Sequence, residues 1–381
     1  MIYRKLGRTN LDVSVIGLGG EWLNGLSQEE VKDVIDVSME NGINLIDVFM
    51  PQAEVRTNIG HALKGRREKI IIQGHICTVY EGEQYNRTRD INKTKNSFED
   101  LLTRLQTNYI DVGMIHYVDS HEDFESVFNT EIIEYAKELK KQGKVKYLGI
   151  SSHNPEIALR AINTGLIDVL MFSINAAYDL EHSDTDIYEL IDFKGLNESG
   201  WSIDPLREKL YSTCESLGVA ITVMKPLGAG SLLKAETSPF GKEMSVIQCC
   251  HYCLNRLGVS SVIVGCHSVE EVKHALKYIY ATDSEKDYTV IISNSPKFKM
   301  DGRCMYCNHC QPCTVKIDIA AVTKYLHLAK MQPEIPETVR GHYNSLKINA
   351  SDCIQCGKCE PNCPFGVKIM ANMEEAEQVF N

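Results

Sequence analysis

The stretch VSVIGLGGEWLNGLSQEEVKDVIDVSMENGINLIDV, Val13 to Val48, holds one complete strand–helix–strand unit. VSVIGLG is almost wholly apolar. The next periodic segment opens on Ser27 with Glu29 and Glu30 behind it, the chemistry of a helix start. INLIDV is apolar again. A strand apolar on both sides is covered on both faces, which is the habit of parallel sheets packed under helices. The same alternation recurs through KIIIQG, IDVGMIH, KYLGIS, IDVLMFS, VAITVMK and VSSVIVG, with helical patterns such as KTKNSFEDLLTRLQTN, EIIEYAKELKKQGK and SVEEVKHALKYIY between them. Eight such strands predict an α/β fold, a closed (β/α)8 TIM barrel with its chemistry at the strand C-termini. An open doubly wound sheet would want GxGxxG after the first strand, and none is there.

Around this core, MIYRKLGRTNLDVSV turns at GRTN and is expected to plug the barrel bottom as a hairpin. DLEHSDTDIYELIDFKGLNESGWSIDP (Asp179–Pro205) is too long for a simple connector and is expected to cover the mouth. TVYEGEQYNRTRD (Thr78–Asp90) is expected to line the pocket, with Arg87 and Arg89 as solvated surface charges. Periodicity fails near Asp283. The domains are therefore read as a barrel over 1–282, a linker over 283–300, and a small, mainly helical module over 301–381.

The chain has 381 residues and a formal net charge of -11, a poor surface for nucleic acid. No apolar run reaches membrane-spanning length, and no signal-type segment precedes the first glycines, so a cytoplasmic protein without a membrane partner is expected. Of 14 cysteines, eight crowd into Cys304–Cys363. In a reducing compartment that density reads as metal binding rather than cross-linking. The other six, Cys77, Cys214, Cys249, Cys250, Cys253 and Cys266, read as small core residues.

The crowded eight form two runs, Cys304, Cys307, Cys310, Cys313 and Cys353, Cys356, Cys359, Cys363, the last followed by Pro364. Zinc sites use cysteine pairs rather than runs of four. The pattern resembles two-cluster ferredoxins, where the fourth cysteine of each run ligates the other cluster. That resemblance assigns Cys304, Cys307, Cys310 and Cys363 to one [4Fe–4S] cluster, and Cys353, Cys356, Cys359 and Cys313 to a second.

Within the barrel, MIYRKLGRTNLDVSVIGLGG, GINLID, HALKGRREK, TNYIDVGMIH, GKVKYLGISSHN and ITVMKPLGAGSLL together resemble the aldo-keto reductase family, in particular a bacterial branch with a ferredoxin tail. The resemblance implies a (β/α)8 barrel and, in ordinary members, carbonyl reduction by NAD(P)H with an aspartate, tyrosine, lysine and histidine tetrad. The aspartate falls on Asp47 and the histidine on His116. The tyrosine falls on Gln52, which does not titrate, and the lysine on His75. A displaced phenol, Tyr80 or Tyr117, is the expected substitute. His75, His116 and His153 end successive strands and support three readings: proton transfer, a three-histidine metal site with Glu21 or Asp47, or substrate orientation. Asp47, His75, His116 and His153 are the candidate catalytic set.

KPLGAGS and VGCHS follow the seventh and eighth strands, where such barrels bind phosphate. Lys225, Leu227, Gly228, Gly230, Ser231, Gly265, Cys266, His267 and Ser268 are the candidate cofactor residues. The family's adenosine clamp falls on Glu271, His274 and Ala275, and its nicotinamide contacts on Ser152 and Met171, all of the wrong type. A phosphate cradle without a dinucleotide clamp favours FMN over NAD(P)H, and flavin converts single electrons to pairs. The leading expectation is an iron–sulfur oxidoreductase. It passes electrons between two [4Fe–4S] clusters and a flavin at the mouth to a small organic substrate, with an external ferredoxin or similar redox partner. The alternatives are an NAD(P)H carbonyl reductase with a modified tetrad and a non-catalytic redox sensor or carrier subunit.

Overall fold

The computed structural model describes residues 1–82, 84–180, 203–292, 302, 304, 306, 309–330, 334–363 and 365–381. Most of the expected mouth-covering loop, residues 293–300 of the expected linker, and Cys307 therefore lie outside the described residues. Eight parallel strands close a barrel: β3 (Ile16–Gly19), β4 (Leu45–Val48), β5 (Ile71–Ile76), β8 (Ile110–Ile115), β9 (Val145–Ser152), β10 (Val169–Ser173), β11 (Ala220–Met224) and β12 (Val259–Gly265). Sequential strands are neighbours, and β12 returns to pair with β3, Gly265 opposite Gly19.

The covering helices form where apolar spacing and caps agree. Helix Gln28–Glu40 buries Val31, Val34, Ile35 and Ser38, and a reciprocal Ser27–Glu30 box fixes its start. Helix Val246–Leu254 begins with the same device, Ser245 with Gln248.

The barrel floor is closed by the antiparallel pair β1 (Tyr3–Lys5) and β2 (Asp12–Ser14). Leu6 and Val13, both fully buried, pack on Leu45, Ile71, Val112, Val169 and Ala220, which begin or nearly begin barrel strands. Gly7 makes the turn at φ +54°, and a Cβ there would sit 2.3 Å from the Gly218 carbonyl oxygen.

Residues 283–292, expected to open a linker, instead form two short helices, Asp283–Lys286 and Thr289–Ile292. Tyr288 and Ile292 are fully buried, so this segment belongs to the packed body. Beyond it stand helices Ile319–Lys330, Glu337–Asn344 and Ile369–Phe380. The last buries Ile369, Met373, Ala376 and Phe380, and Phe380 stacks on Tyr343 at 3.9 Å.

This module rests on the floor side of the barrel. The Arg256 guanidinium, just ahead of β12, lies over the Tyr306 ring, and Lys324 shares a charge environment with Glu215, Arg4 and Arg256. Arg4 itself donates to the Leu254 and Val259 carbonyls at 2.8 Å each. The seven residues of β12 separate that floor from the mouth by about 20 Å.

Because Leu6 fills the floor with no exposed surface, Leu6→Ala is expected to cost about 2–5 kcal/mol. The check is a urea midpoint that falls while the slope holds; an unchanged midpoint would show that the plug is not part of the core.

Candidate active site

Asp47, His75 and His116 sit at the C-terminal ends of β4, β5 and β8 with 2%, 2% and 8% exposure. At this depth each polar atom needs a partner. Gln73, one step below His75 on the same face, donates from Nε2 to Asp47 Oδ1 at 2.6 Å and accepts from Thr222 Oγ1 at 3.0 Å. His75 Nε2 lies 3.0 Å from the same carboxylate oxygen, and His75 Nδ1 lies 2.7 Å from His116 Nδ1. His116 Nε2 meets the Tyr85 hydroxyl. Phe49 stacks on the His116 ring at 5.5 Å, with only 6° between planes.

The donors can be ordered along this line. A carboxylate only accepts, so the His75 proton is on Nε2 and its Nδ1 accepts. His116 then donates from Nδ1, its Nε2 accepts, and the phenol donates. The His116 ring is neutral in this arrangement. Burial, reinforced by His75 and by Arg89 and Arg87, pushes the His116 pKa well below its ordinary value, in agreement.

Tyr85 was not foreseen. It stands on β7 (Gln84–Arg87), paired with β6 (Thr78–Glu81) in a hairpin that opposes it to Tyr80. Tyr80 is 47% exposed, and Tyr117 instead turns through a left-handed backbone, φ 52°. Neither expected substitute is the phenol seen on His116. The signal was in TVYEGEQYNRTRD, where two short polar–aromatic runs flank a glycine turn. Gln52, at the family's tyrosine position, leaves its Oε1 buried with no partner among the described residues.

Of the two arginines read as solvated, Arg87 is exposed and Arg89 is largely covered, and both are bonded to the chain. Arg89 donates to the His116 and Tyr117 carbonyls at 3.0 and 2.8 Å and pairs with Asp123 at 2.9 Å. Arg87 binds the Tyr117 carbonyl and Asp123 at 2.9 and 2.8 Å. Together they pin the hairpin that carries Tyr85.

His153 joins a second line. Its Nδ1 lies 2.8 Å from Asp119 Oδ2, and its Nε2 lies 3.1 Å from Lys225 Nζ. Ser152 donates to Asp119 at 2.9 Å. Tyr117 lies between the two lines, its ring 6.1 Å from His116 and 5.2 Å from His153. Burial lowers the Lys225 and His153 pKa values and raises that of Glu21, whose charge acts on Lys225 while that of Asp47 acts on Glu21. Every ring nitrogen of the three histidines is thus engaged by the chain. Among the described residues no three His, Cys, Asp or Glu side chains gather closely enough to hold a single metal ion.

The two candidate phosphate loops differ. Gly228, Ala229 and Gly230 all have positive φ, the Gly228 and Gly230 N–H groups donate to the Lys225 and Leu227 carbonyls at 3.0 Å each, and Gly230 opens on free space. Leu227 precedes this turn and Ser231 follows it. At Gly265–Ser268 the Glu271 carboxylate already accepts from the His267 N–H at 2.7 Å. Trp22 lies across Gly265 and packs on His267 at 4.5 Å, and Cys266 is buried. The first loop is turned on its own carbonyls and is open at Gly230; the second is filled by the chain's own carboxylate and indole.

In the C-terminal module Cys313, Cys353, Cys356 and Cys359 line one open cleft. Thr314 Oγ1 is 3.4 Å from Cys356 Sγ. The sulfurs share that apolar cleft with Ile317, Ile319 and Met373, a donor set of the kind that holds an iron–sulfur cubane. Of the other set, Cys310 is buried, and Gly302 donates to the Phe365 carbonyl at 2.6 Å, laying the Cys304 segment beside Cys363.

Residues 15–295 match the Aldo/keto reductase family, and residues 346–368 match the 4Fe-4S binding domain. The chain belongs to the aldo/keto reductase family. Among its relatives, the "Uncharacterized oxidoreductase YqkF" of Bacillus subtilis is 29% identical over 173 residues, 44% of this chain and 55% of the relative. The "Aldo-keto reductase YhdN" of the same organism is 30% identical over 172 residues, 41% and 48% of the two chains. The "NADH-specific methylglyoxal reductase" of Escherichia coli is 26% identical over 242 residues, 60% and 65% of the two. This chain spans about half the length of the first two. The structure of aldo-keto reductase AKR11C1 from Bacillus halodurans, holo form, superposes with a TM-score of 0.59 at 25% identity, covering 75% of this chain and 94% of that one. This family barrel keeps the fold and departs at Gln52 and His75. No helix among the described residues is long and apolar enough to cross a membrane.

The buried histidines set an acid limit on stability. His116 and His153 are lowered, and burial takes His251 down to about 4. An unfolded histidine titrates near 6.5, so below that pH the unfolded chain binds protons that the folded one refuses. Glu21 acts in the opposite sense, since its raised folded value favours its own protonation. Three histidines against one carboxyl leave a net loss. Urea midpoints are expected to fall steadily from about pH 6.5 toward 4; a flat profile across that window would contradict the buried, neutral rings.

Proposed function

We propose that this family member is an oxidoreductase that interconverts a small carbonyl compound and its alcohol at the barrel mouth, with Tyr85 carrying the proton. The observation that supports this most is the continuous line Tyr85–His116–His75–Asp47. When an alcohol hydroxyl lies beside Tyr85, the phenol can pass its proton to His116 Nε2 and take the alcohol's proton in its place, while His116 gives its Nδ1 proton to His75 Nδ1. Carbonyl reduction is the same transfer in reverse, starting from a His75 that carries the extra proton. The shift runs from ring to ring without large movement, because the partners are already within hydrogen-bond reach. Asp47 holds His75 in orientation and offsets the positive charge that appears during the shift. Phe49, flat against His116, shields the ring from water.

A nicotinamide or flavin supplies the electron pair as hydride when bound. The Gly228–Ser231 turn would hold one phosphate, and the carboxylate at Glu271 opposes a second, which keeps FMN as a reading beside a nicotinamide. The C-terminal cysteines are proposed to hold two [4Fe–4S] clusters. Feeding the mouth of the same subunit from those clusters is the less supported part of the earlier expectation, because Tyr306 of the first cysteine run lies on the floor side. Exchange with an external ferredoxin, or with a mouth on another subunit, suits that placement better.

Anaerobically purified protein assayed with small aldehydes and NADH, NADPH or reduced FMN tests the reading. Tyr85→Phe is expected to lower kcat by about 10²–10⁴-fold with little change in KM, while Tyr80→Phe stays near wild type. Full activity in Tyr85→Phe would end the proposal for this phenol. Separately, Cys353→Ser is expected to remove about half of the iron and sulfide, read by metal analysis and low-temperature EPR. Unchanged iron would reassign that ligand.

A further inference from the structure

We propose that Lys225 is a carbonyl-capturing amine, which His153 activates and Asp119 orients, and that it condenses with small aldehydes or ketones at the barrel mouth. This role is separate from the proton line through Tyr85, which does not include Lys225.

Geometry carries the assignment. Asp119 Oδ2 accepts from His153 Nδ1 at 2.8 Å, and the His153 peptide N–H donates to Asp119 Oδ1 at 2.7 Å. One carboxylate thereby fixes both the ring and its backbone. The tautomer follows: with the proton on Nδ1, Nε2 presents a lone pair, and Lys225 Nζ stands 3.1 Å from it. An amine facing a neutral imidazole has a ready acceptor for its proton. Among the described residues no carboxylate lies within ion-pair distance of Nζ; Glu21 and Asp119 act on it only from further away. His153 is 8% exposed and Asp119 is largely shielded, so water does not easily replace these contacts. Lys225 also stands at the C-terminal end of β11 with φ 55°, a left-handed backbone that a lysine rarely adopts and that the fold retains here. Burial without a direct counter-ion is the setting in which a lysine becomes a nucleophile, and the lowered pKa agrees.

The step balances without an oxidant or reductant. His153 Nε2 takes a proton from Nζ, and the nitrogen lone pair attacks the carbonyl carbon. The resulting carbinolamine loses its hydroxyl as water with protons returned by imidazolium, leaving a C=N bond to Lys225. Hydrolysis reverses it. A carbonyl compound can therefore be held at the mouth covalently.

The test uses cluster-loaded, full-length protein under anaerobic conditions with propanal and sodium cyanoborohydride at neutral pH, followed by peptide mapping. Propyl transfer to Lys225 is expected about tenfold or more faster than to exposed lysines such as Lys137 and Lys273. His153→Gln is expected to bring Lys225 down to the surface rate, and Lys225→Arg to abolish the fast phase. Should His153→Gln fail to fold, Asp119→Asn carries the same test. Labelling of Lys225 at the surface rate, or a fast phase that survives loss of His153, overturns the proposal. The readout needs no hydride donor and no turnover, so its failure is distinct from failure of the Tyr85 reading.

Discussion

Asp47 is buried to 2% at the end of β4, and a carboxylate there must be met by donors. Two arrive at one oxygen, Gln73 Nε2 and His75 Nε2. From that requirement the polarity of the whole mouth follows. The His75 proton is committed to Asp47, so its other nitrogen can only accept. His116 is then obliged to donate inward and accept outward. A phenol meeting His116 Nε2 completes the sequence. Reversing any one member would leave two donors or two lone pairs facing each other in a dry site, at a cost of the order of 1–3 kcal/mol. Gln73 and Thr222 extend the same accounting into the barrel interior, where Met171 supplies only a weak sulfur contact at 3.5 Å.

The family's usual tyrosine position holds Gln52, yet a phenol still occupies a place at the mouth. It comes from a different element, a hairpin between β5 and the next helix. Such a loop is useful for placing a side chain only if it is held. Arg87 and Arg89 do this by bonding to the carbonyls of His116 and Tyr117, the residues that follow β8. The left-handed turn at Tyr117 occurs where these carbonyls meet the arginines. Asp123, near the start of helix His121–Phe128, gathers both guanidinium groups. The cost of strained backbone is offset by charge-assisted bonds that are partly shielded from water.

Much of this was open to a reading of the chain. Strands covered on both faces must be apolar throughout, so β3 to β12 of the barrel announced themselves, and helix starts were marked by Ser27 and Ser268. Strand-end positions then placed Asp47, His75, His116 and His153 at one rim. Tyr85 escaped because its role depends on which way a hairpin folds back, a matter of tertiary closure rather than periodicity. Arg89 escaped for a similar reason: an arginine in a polar loop looks solvated until its carboxylate partner, 34 residues away, is known. Residues 283–292 looked like a linker because two four-residue helices are too short to show a period, although Tyr288 and Ile292 are core. The filling of the Gly265–Ser268 loop by Glu271 was equally invisible, since an acid in a first turn reads only as a helix-start preference.

The C-terminal module meets the barrel through named side chains. Arg256 lies 4.4 Å over Tyr252 and 5.9 Å over Tyr306, so one guanidinium links helix Val246–Leu254 with the first cysteine run. Tyr252 donates to Asp179 at 2.9 Å, and Tyr211 donates to its other oxygen. Arg207, fully buried beside them, bonds to the Ser173 carbonyl at the end of β10. His309 of the module pairs with Asp287 at 2.8 Å. These groups form a polar column from the floor side toward the mouth end of β10, in which Arg256, Tyr252, Asp179, Tyr211 and Arg207 are buried and His309 and Asp287 are partly exposed. A column of this kind is stiff, because removing one partner strands another in low dielectric. It couples the packing of the cysteine runs to the wall of the barrel. The cysteine runs thus stand at the opposite end of the barrel from Tyr85 and His116, while the module stays mechanically continuous with the strands that carry those residues.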